Sequence, residues 1–154
     1  MHPSHTAFAE SYSFAIYDTL FVQLWRANAT LEGVRTMRRL ILDAPQVDAM
    51  LIVVDDFTSL PGEAVREEIM QLSREISAMF SMVIYGNTGF KAAALRALVT
   101  GVFALTGRRQ ELGVFGALSE AQAWATRQGR RVPDLHTIEA MVAALREEQR
   151  VRAA

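Results

Sequence analysis

The sequence contains no cysteine, which excludes disulfide bonds, thiol catalysis and zinc–thiolate sites. Lys91 is the only lysine and the formal net charge is −1, so the chain as a whole has no electrostatic attraction to nucleic acid. Long hydrophobic runs are also missing. The longest, residues 92–105, is interrupted by Arg96 and Thr100 and is too short to span a bilayer.

The first five residues have neither the basic region nor the apolar core of a signal peptide. We therefore expect a cytoplasmic protein without a transmembrane segment. The chain has 154 residues, of which 51% are hydrophobic and 21% are charged. This composition is typical of one globular domain, and a chain of this length needs no metal or disulfide to fold.

An unbroken apolar run at residues 50–54 is the predicted centre of the fold, because a strand that is apolar on both faces belongs inside a sheet. Two strand-like runs precede it and are joined by a tight turn at Asp18 and Thr19. Strands and helices then alternate, and Thr30 is suited to cap the first helix. The predicted strands cover residues 13–17, 20–25, 49–56, 82–85 and 112–115. The predicted helices cover residues 31–43, 90–106 and 120–127, with two more that begin near Pro61 and Pro133.

This order predicts an α/β fold. We expect a mixed, mainly parallel sheet of about five strands with an N-terminal antiparallel hairpin, packed by helices and followed by a C-terminal helix. The predicted organisation is a disordered N-terminus at residues 1–11, an α/β domain at 12–128 and a C-terminal helical extension at 129–154.

The helix predicted at 90–106 is apolar on nearly its whole circumference, so it must be covered on more than one side. We expect one face, which carries Phe90, Ala94, Leu98 and Leu105, to pack on the sheet. The other face then remains for a second subunit, as in a two-fold homodimer. The predicted interface residues are Leu95, Val99, Val102 and Phe103. In the alternative, the C-terminal helix folds back and covers this face within one chain.

No sequence motif for catalysis, metal binding or nucleotide binding is present, so we expect a protein without enzymatic activity and without a cofactor. Asp55, Asp56 and Glu63 are predicted near the carboxyl end of the central strand, where ligands bind in open sheets. Carboxylates there are also favourable without a ligand. Two further patterns can be interpreted either as an anion-binding site or as purely structural features. They are the cluster Arg35, Arg38 and Arg39 and the glycine-flanked turn at 86–89.

Thr58 and Ser59 precede the helix that begins near Pro61. A phosphate added there would meet the positive end of the helix dipole. These two residues are therefore the predicted phosphoacceptors, and ordinary helix capping is the alternative interpretation.

Several segments together carry a family resemblance across residues 12–127. They are the hairpin end Leu24-Trp25-Arg26, the helix after Thr30, the strand at 51–56, the helix start Pro61…Arg66, the stretch Phe90…Leu95-Arg96-Ala97-Leu98, and Val114-Phe115…Ser119-Glu120-Ala121…Ala123-Trp124. In this pattern the chain resembles the STAS-type, anti-sigma-factor-antagonist-like domains, in the branch whose fold also resembles the CRAL-TRIO lipid-binding lobe. The phosphorylation motif Asp-Ser-Ser/Thr-Gly of the phospho-switch members is missing, so no phosphosite is carried over.

The resemblance implies a non-enzymatic regulatory or scaffolding module of bacterial signalling that self-associates and binds an unidentified protein. It also allows an alternative, the binding of an apolar small molecule or lipid between sheet and helix. The first function predicts a filled core and an exposed apolar patch between Phe90 and Phe103. The second predicts a cavity lined by residues such as Phe57, Phe80, Leu98 and Phe103.

Overall fold

The computed structural model describes residues 3, 5–9, 11–85 and 89–154. Part of the predicted turn at 86–89 therefore lies outside the described residues. The strands are β1 (His5–Phe8), β2 (Tyr12–Tyr17), β3 (Leu20–Trp25), β4 (Ala49–Val54), β5 (Met79–Ile84) and β6 (Leu112–Phe115). The helices are α1 (Leu31–Leu42), α2 (Glu63–Glu75), α3 (Phe90–Leu105), α4 (Leu118–Arg127) and α5 (Leu135–Ala153), with a short 3-10 turn at Arg109–Glu111.

Within the described part of the chain, the strands form one six-stranded sheet whose spatial order follows the chain order from β1 to β6. The first three strands pair antiparallel, and each later strand pairs parallel to the one before it. The predicted fold class is therefore confirmed: the protein is α/β, with a mixed sheet, an antiparallel N-terminal hairpin and a C-terminal helix.

The extra strand, β1, lies within residues 1–11, which the sequence predicts to be disordered. That prediction is wrong for His5–Phe8, which pair with β2 in the register His5↔Ile16 to Phe8↔Ser13. The reason is that backbone hydrogen bonds to an open sheet edge, and not an alternation of apolar side chains, order this segment. Such pairing leaves little trace in a short sequence of polar and small residues.

The sheet is covered on both faces, as its apolar strands require. Right-handed crossovers that all step in the same direction place their helices on one side of a sheet. Accordingly, α1, α2 and α3 share one core with alternate strand residues such as Phe21, Met50 and Phe80. Helices α4 and α5 share the opposite core with the intervening residues, such as Val22 and Leu51.

Helix α5 is an integral part of this second core and not a separate extension. Its apolar stripe is buried against β2 and β3. The stripe consists of Ile138, Met141, Val142 and Leu145. The helix thus folds back, as one alternative allowed, but it covers the sheet and leaves α3 uncovered.

Close packing of α1 on the sheet depends on Gly33. The Thr30 side chain accepts a hydrogen bond from the Gly33 N–H at 3.1 Å and caps the helix, as predicted. A Cβ added to Gly33 would lie 2.5 Å from the Trp25 ring. That ring cannot retreat easily, because Tyr12 and Phe14 pack against it with ring centroids 5.4 and 5.7 Å away. Glycine therefore lets α1 begin directly on Trp25 and fixes the ring in place.

A candidate apolar pocket

A cavity lies between the sheet and helices α1 to α3, on the face of the first core. Its volume is about 80 Å³, whereas one buried water needs about 10–15 Å³. Among the described residues, the wall is almost wholly apolar and contains no charged side chain. The lining residues are Gln23, Trp25, Ala27, Ala29, Val34, Met37, Ile52, Val54, Phe57, Ser59, Pro61, Ile69, Leu72, Phe80, Met82, Leu95, Val99 and Phe103.

The pocket is oriented along the parallel strands. Trp25 and Val54 form its row at the carboxyl ends of β3 and β4, and the loops that follow these strands surround the mouth. Gln23 and Ile52 form the next row inward, and Gln23 lies about 7 Å below Trp25 at 3.3 Å per strand residue. The site thus occupies the edge of the sheet where ligands of open α/β folds bind.

Gln23 is the most unusual residue of the pocket. It is only 3% exposed, and its side-chain carbonyl oxygen is buried without a hydrogen-bond partner. Its cross-strand neighbours are the apolar side chains of Phe14 and Ile52. Sequence reasoning did not single it out, although a lone amide in an otherwise apolar strand is a readable signal. A buried polar atom without a partner is costly, so it marks a position where a ligand or water group fits.

Asn28 organises the mouth of the pocket. Its Oδ1 atom accepts hydrogen bonds from the N–H groups of Thr58 at 2.7 Å and Ser59 at 3.0 Å. Its Nδ2 group donates to Thr58 Oγ1 at 2.9 Å. One side chain thereby joins the loop after β3 to the loop after β4, which fixes the width of the mouth.

The predicted phosphoacceptors, Thr58 and Ser59, lie in this mouth loop and are exposed. They do not cap α2, whose N-cap residue is Gly62 and which has no side-chain cap. The premise that they stand at the helix start is therefore wrong, since three residues separate Ser59 from Glu63. Phosphorylation of either residue stays a prediction.

Three of the four residues predicted for a ligand pocket, Phe57, Phe80 and Phe103, line the cavity. The rings of Phe80 and Phe103 meet edge to face, with centroids 4.5 Å apart. Leu98 does not line the cavity. It is partly buried at the margin of the first core, because it lies on α3 one residue away from the stripe that faces the sheet.

The predicted dimer interface is wrong because its residues lie on the face of α3 that packs on the sheet. Leu95, Val99, Val102 and Phe103 form the buried face of α3, so they cannot contact a second subunit. The face predicted to pack on the sheet instead carries Phe90, which is 88% exposed, and Leu105, which is 74% exposed. Both faces are apolar, and they differ in side-chain size over the middle of the helix. The buried face has the bulky residues, and the outer face between Phe90 and Leu105 carries Ala93, Ala97, Gly101 and Ala104.

The predicted acidic patch does not form a shared site. Arg146 of α5 donates two hydrogen bonds to the Asp55 carboxylate, at 2.6 and 2.9 Å, and stacks 5.0 Å from the centre of the Tyr85 ring. The pKa of Arg146 is raised, mainly by its hydrogen bond to Asp55. Asp56 accepts a hydrogen bond from the N–H of Phe57. Asp55 therefore ties α5 to the end of β4.

Two members of the arginine cluster of α1, Arg35 and Arg38, are likewise paired with carboxylates. Arg38 donates to both oxygens of Glu75 on α2, at 2.6 and 2.7 Å, and to Glu68 at 3.2 Å. Hydrogen bonds from Arg38 and then from Gln71 lower the pKa of Glu75 to about 2. This arrangement joins α1 to α2 and favours the structural interpretation of the cluster over anion binding.

We expect Arg38→Gln to move the Glu75 titration midpoint from about 2 towards the ordinary value of about 4.3. Because folding lowers this pKa, the stabilisation from the pair is present above about pH 4.3 and is lost as the pH falls towards 2. An NMR titration of the Glu75 carboxyl carbon measures the midpoint. Arg35→Gln is the control, since Arg35 lies 3.8 Å from Glu68 and does not bind Glu75. An unchanged midpoint in Arg38→Gln would contradict the assignment.

A scan against protein-family models finds no match to this chain, and a search of curated proteins finds none either. Among the residues that the structure describes, no three acidic or histidine side chains come together as a metal site. None of the helices in the described ranges is both long enough and apolar enough to cross a bilayer.

Proposed function

We propose that this protein binds an apolar small molecule, or the end of a lipid chain, in the pocket between the sheet and helices α1 to α3, and that it does so without catalysis. The observation that carries the proposal is the apolar cavity lined by Gln23, whose buried side-chain oxygen has no hydrogen-bond partner. Protein interiors are close-packed and rarely leave voids larger than a water molecule. An apolar pocket with few polar groups is the usual form of a small-molecule site.

The two tryptophans provide a direct test. Trp25 lines the pocket, whereas Trp124 of α4 packs against Phe115, with ring centroids 5.5 Å apart. Trp124→Phe leaves Trp25 as the only fluorescent indole, and Trp25→Phe leaves Trp124. We expect 1-bromohexane, whose bromine quenches indole fluorescence on contact, to quench Trp25 saturably and to leave Trp124 unaffected.

A matched pair of variants on α3 locates the binding site within the core. Val99 lines the cavity and Val102 does not, although both are buried on the same helix. Val99→Leu should fill part of the cavity and weaken quenching of Trp25 several-fold, and Val102→Leu should leave it unchanged. Equal quenching of both tryptophans, or no saturable quenching, would refute the proposal.

A second candidate function is self-association as an interaction module, and the outer face of α3 favours it. Phe90 and Leu105 stand about 22 Å apart at 1.5 Å per residue, with the small residues Ala97 and Gly101 between them. An added Cβ at Gly101 would meet nothing within 4 Å, so another helix can approach closely. In an antiparallel two-fold pair, Phe90 of each copy would pack beside Leu105 of the other.

Sedimentation equilibrium tests this second candidate. We expect the wild-type protein to sediment above 17.1 kDa at tens of micromolar and Gly101→Glu to sediment as a monomer. A monomeric wild type would remove self-association. A dimer that tolerates Gly101→Glu would place the interface on another surface.

The STAS-type family and a role in bacterial signalling remain part of this proposal. What supports them is the order of elements, an N-terminal hairpin followed by three β-α-β crossovers, together with the core pattern described above. The apolar pocket favours ligand binding as the primary activity. The exposed face of α3 provides a surface through which such a module reaches a second copy.

A further inference from the structure

The Gln23 amide differs from Ser73 and Ser81, two other buried polar side chains. Ser73 donates to the carbonyl of Met70 at 2.8 Å, and Ser81 donates to the carbonyl of Met50 at 3.1 Å. These hydroxyls find partners in the neighbouring backbone. The Gln23 carbonyl oxygen has none, although the side chain lines an open cavity.

We infer that the ligand carries a neutral hydrogen-bond donor, such as a phenolic or alcoholic hydroxyl, on an apolar frame, and that it enters donor first so that the hydroxyl pairs with Gln23 Oε1. This inference rests on the proposed function of the pocket. It specifies what that function leaves open, which is the polar chemistry of the ligand and the direction in which it lies.

The position of Gln23 determines the direction in which the ligand lies in the pocket. Its row lies one step inside the row of Trp25 and Val54, and the mouth loops begin beyond that row. A hydroxyl that reaches Gln23 must therefore be at the inner end of the ligand. The apolar frame then contacts Trp25, Val54 and Phe57 on the way to the mouth.

The wall requires the donor to be neutral. None of the lining residues carries a charge, and an ionised group in an apolar site without a counter-charge is strongly disfavoured. Lys91 lies 6.0 Å from the centre of the Phe57 ring and is not among the residues that line the pocket. An ammonium donor at Gln23 is thus excluded, whereas a neutral hydroxyl is compatible with the apolar wall.

Two probes of nearly equal shape distinguish the contribution of the hydroxyl donor to affinity from that of the apolar frame. We compare 4-bromophenol with 4-bromotoluene, in which a methyl group replaces the hydroxyl, by quenching of Trp25 in the full chain carrying Trp124→Phe. The measured quantity is the ratio of the two affinities. We expect Gln23→Leu to lower the preference for the phenol by roughly 3- to 10-fold, the effect of one buried hydrogen bond between neutral groups.

Gln23→Leu removes a buried polar atom without a partner, so it should fold at least as well as the wild type. Gln23→Met provides a second apolar replacement of similar length. Ser13→Ala is the matched control, because the Ser13 hydroxyl is also buried without a partner but does not line the pocket. The ratio should fall in both Gln23 variants and stay constant in Ser13→Ala.

The outcomes separate this inference from the proposed function. If both probes quench Trp25 and the ratio is the same with and without Gln23, the pocket binds ligands but the donor inference is wrong. If 4-bromoanisole, which can only accept, is preferred as strongly as the phenol, the polar group of the ligand is an acceptor and the inference is also wrong. If neither probe quenches Trp25, the proposed function fails and the inference fails with it.

Discussion

Val102→Glu is expected to prevent stable folding, whereas Gly101→Glu, one residue earlier on α3, is expected to be tolerated. Val102 is buried in the apolar core between the helix and the sheet. An unpaired carboxylate there costs about 4 kcal/mol or more, a large share of the roughly 5–15 kcal/mol that stabilises a domain. Urea denaturation followed by circular dichroism measures the difference.

Gly101 is the control because it lies on the exposed face with open space around it. Glutamate is a better helix former than glycine by roughly 0.5 kcal/mol, so the free energy of unfolding should stay level or rise. The interface predicted from sequence makes the contrary forecast, a folded monomer with Val102→Glu. Recovery of such a monomer would show that α3 is rotated about its axis, so that Val102 does not face the sheet.

Arg108→Met should lower the free energy of unfolding by about 2–4 kcal/mol. The Arg108 guanidinium donates to the backbone carbonyls of Ser73 at 2.9 Å and Ala78 at 2.8 Å, and also to that of Ile76. It stacks 5.5 Å from the centre of the Phe80 ring and pairs with Glu111. Hydrogen bonds from a charged donor each contribute about 1.5–3 kcal/mol, and water can replace only some of them because the side chain is largely buried.

The carbonyls concerned belong to the end of α2 and the approach to β5, where the helix has exhausted its own N–H donors. Arg108 therefore acts as a C-terminal cap supplied from the far end of α3. Arg109→Met is the matched control, since Arg109 is exposed, and its effect should remain within about 0.5 kcal/mol. Thermal melts should show a fall of about 5–10 °C for Arg108→Met alone. Similar melting temperatures for the two variants would contradict the capping role.

The sequence predicts the order of elements well because each depends on local signals. The apolar run at 50–54 is typical of an interior strand, the Thr30 side chain is suited to cap a helix, and Pro61 lies close to the start of the next one. The crossover helices follow from the alternation itself. Strand β1 was not predicted, because its pairing depends on the free backbone groups at the edge of β2 and not on its own side chains.

The rotation of α3 was predicted wrongly for a related reason. A helix that is apolar all round has no hydrophobic contrast to orient it, so counting apolar residues cannot choose a face. The face that packs on the sheet is indicated instead by side-chain size, for example Val99 against Ala97, since only bulky side chains fill the space above a sheet. The pocket aromatics Phe57, Phe80 and Phe103 were predictable as core residues near one another. Gln23 is visible in the sequence as a lone amide in an apolar strand, but the absence of a hydrogen-bond partner, which gives it its meaning, is revealed only by the three-dimensional structure.

The sheet, whose strands lie in the order in which they are synthesised, has a consequence for the nascent chain. Each strand that leaves the ribosome can dock on the edge laid down just before it, so the sheet grows without waiting for distant segments. The face under α1 to α3 closes as these helices appear. The opposite face, with Leu24, Leu51 and Val53, stays bare until α4 and α5 have emerged, roughly 2–7 s later at usual elongation rates. Residues 118–153 therefore end the period in which the growing chain exposes this apolar face of the sheet.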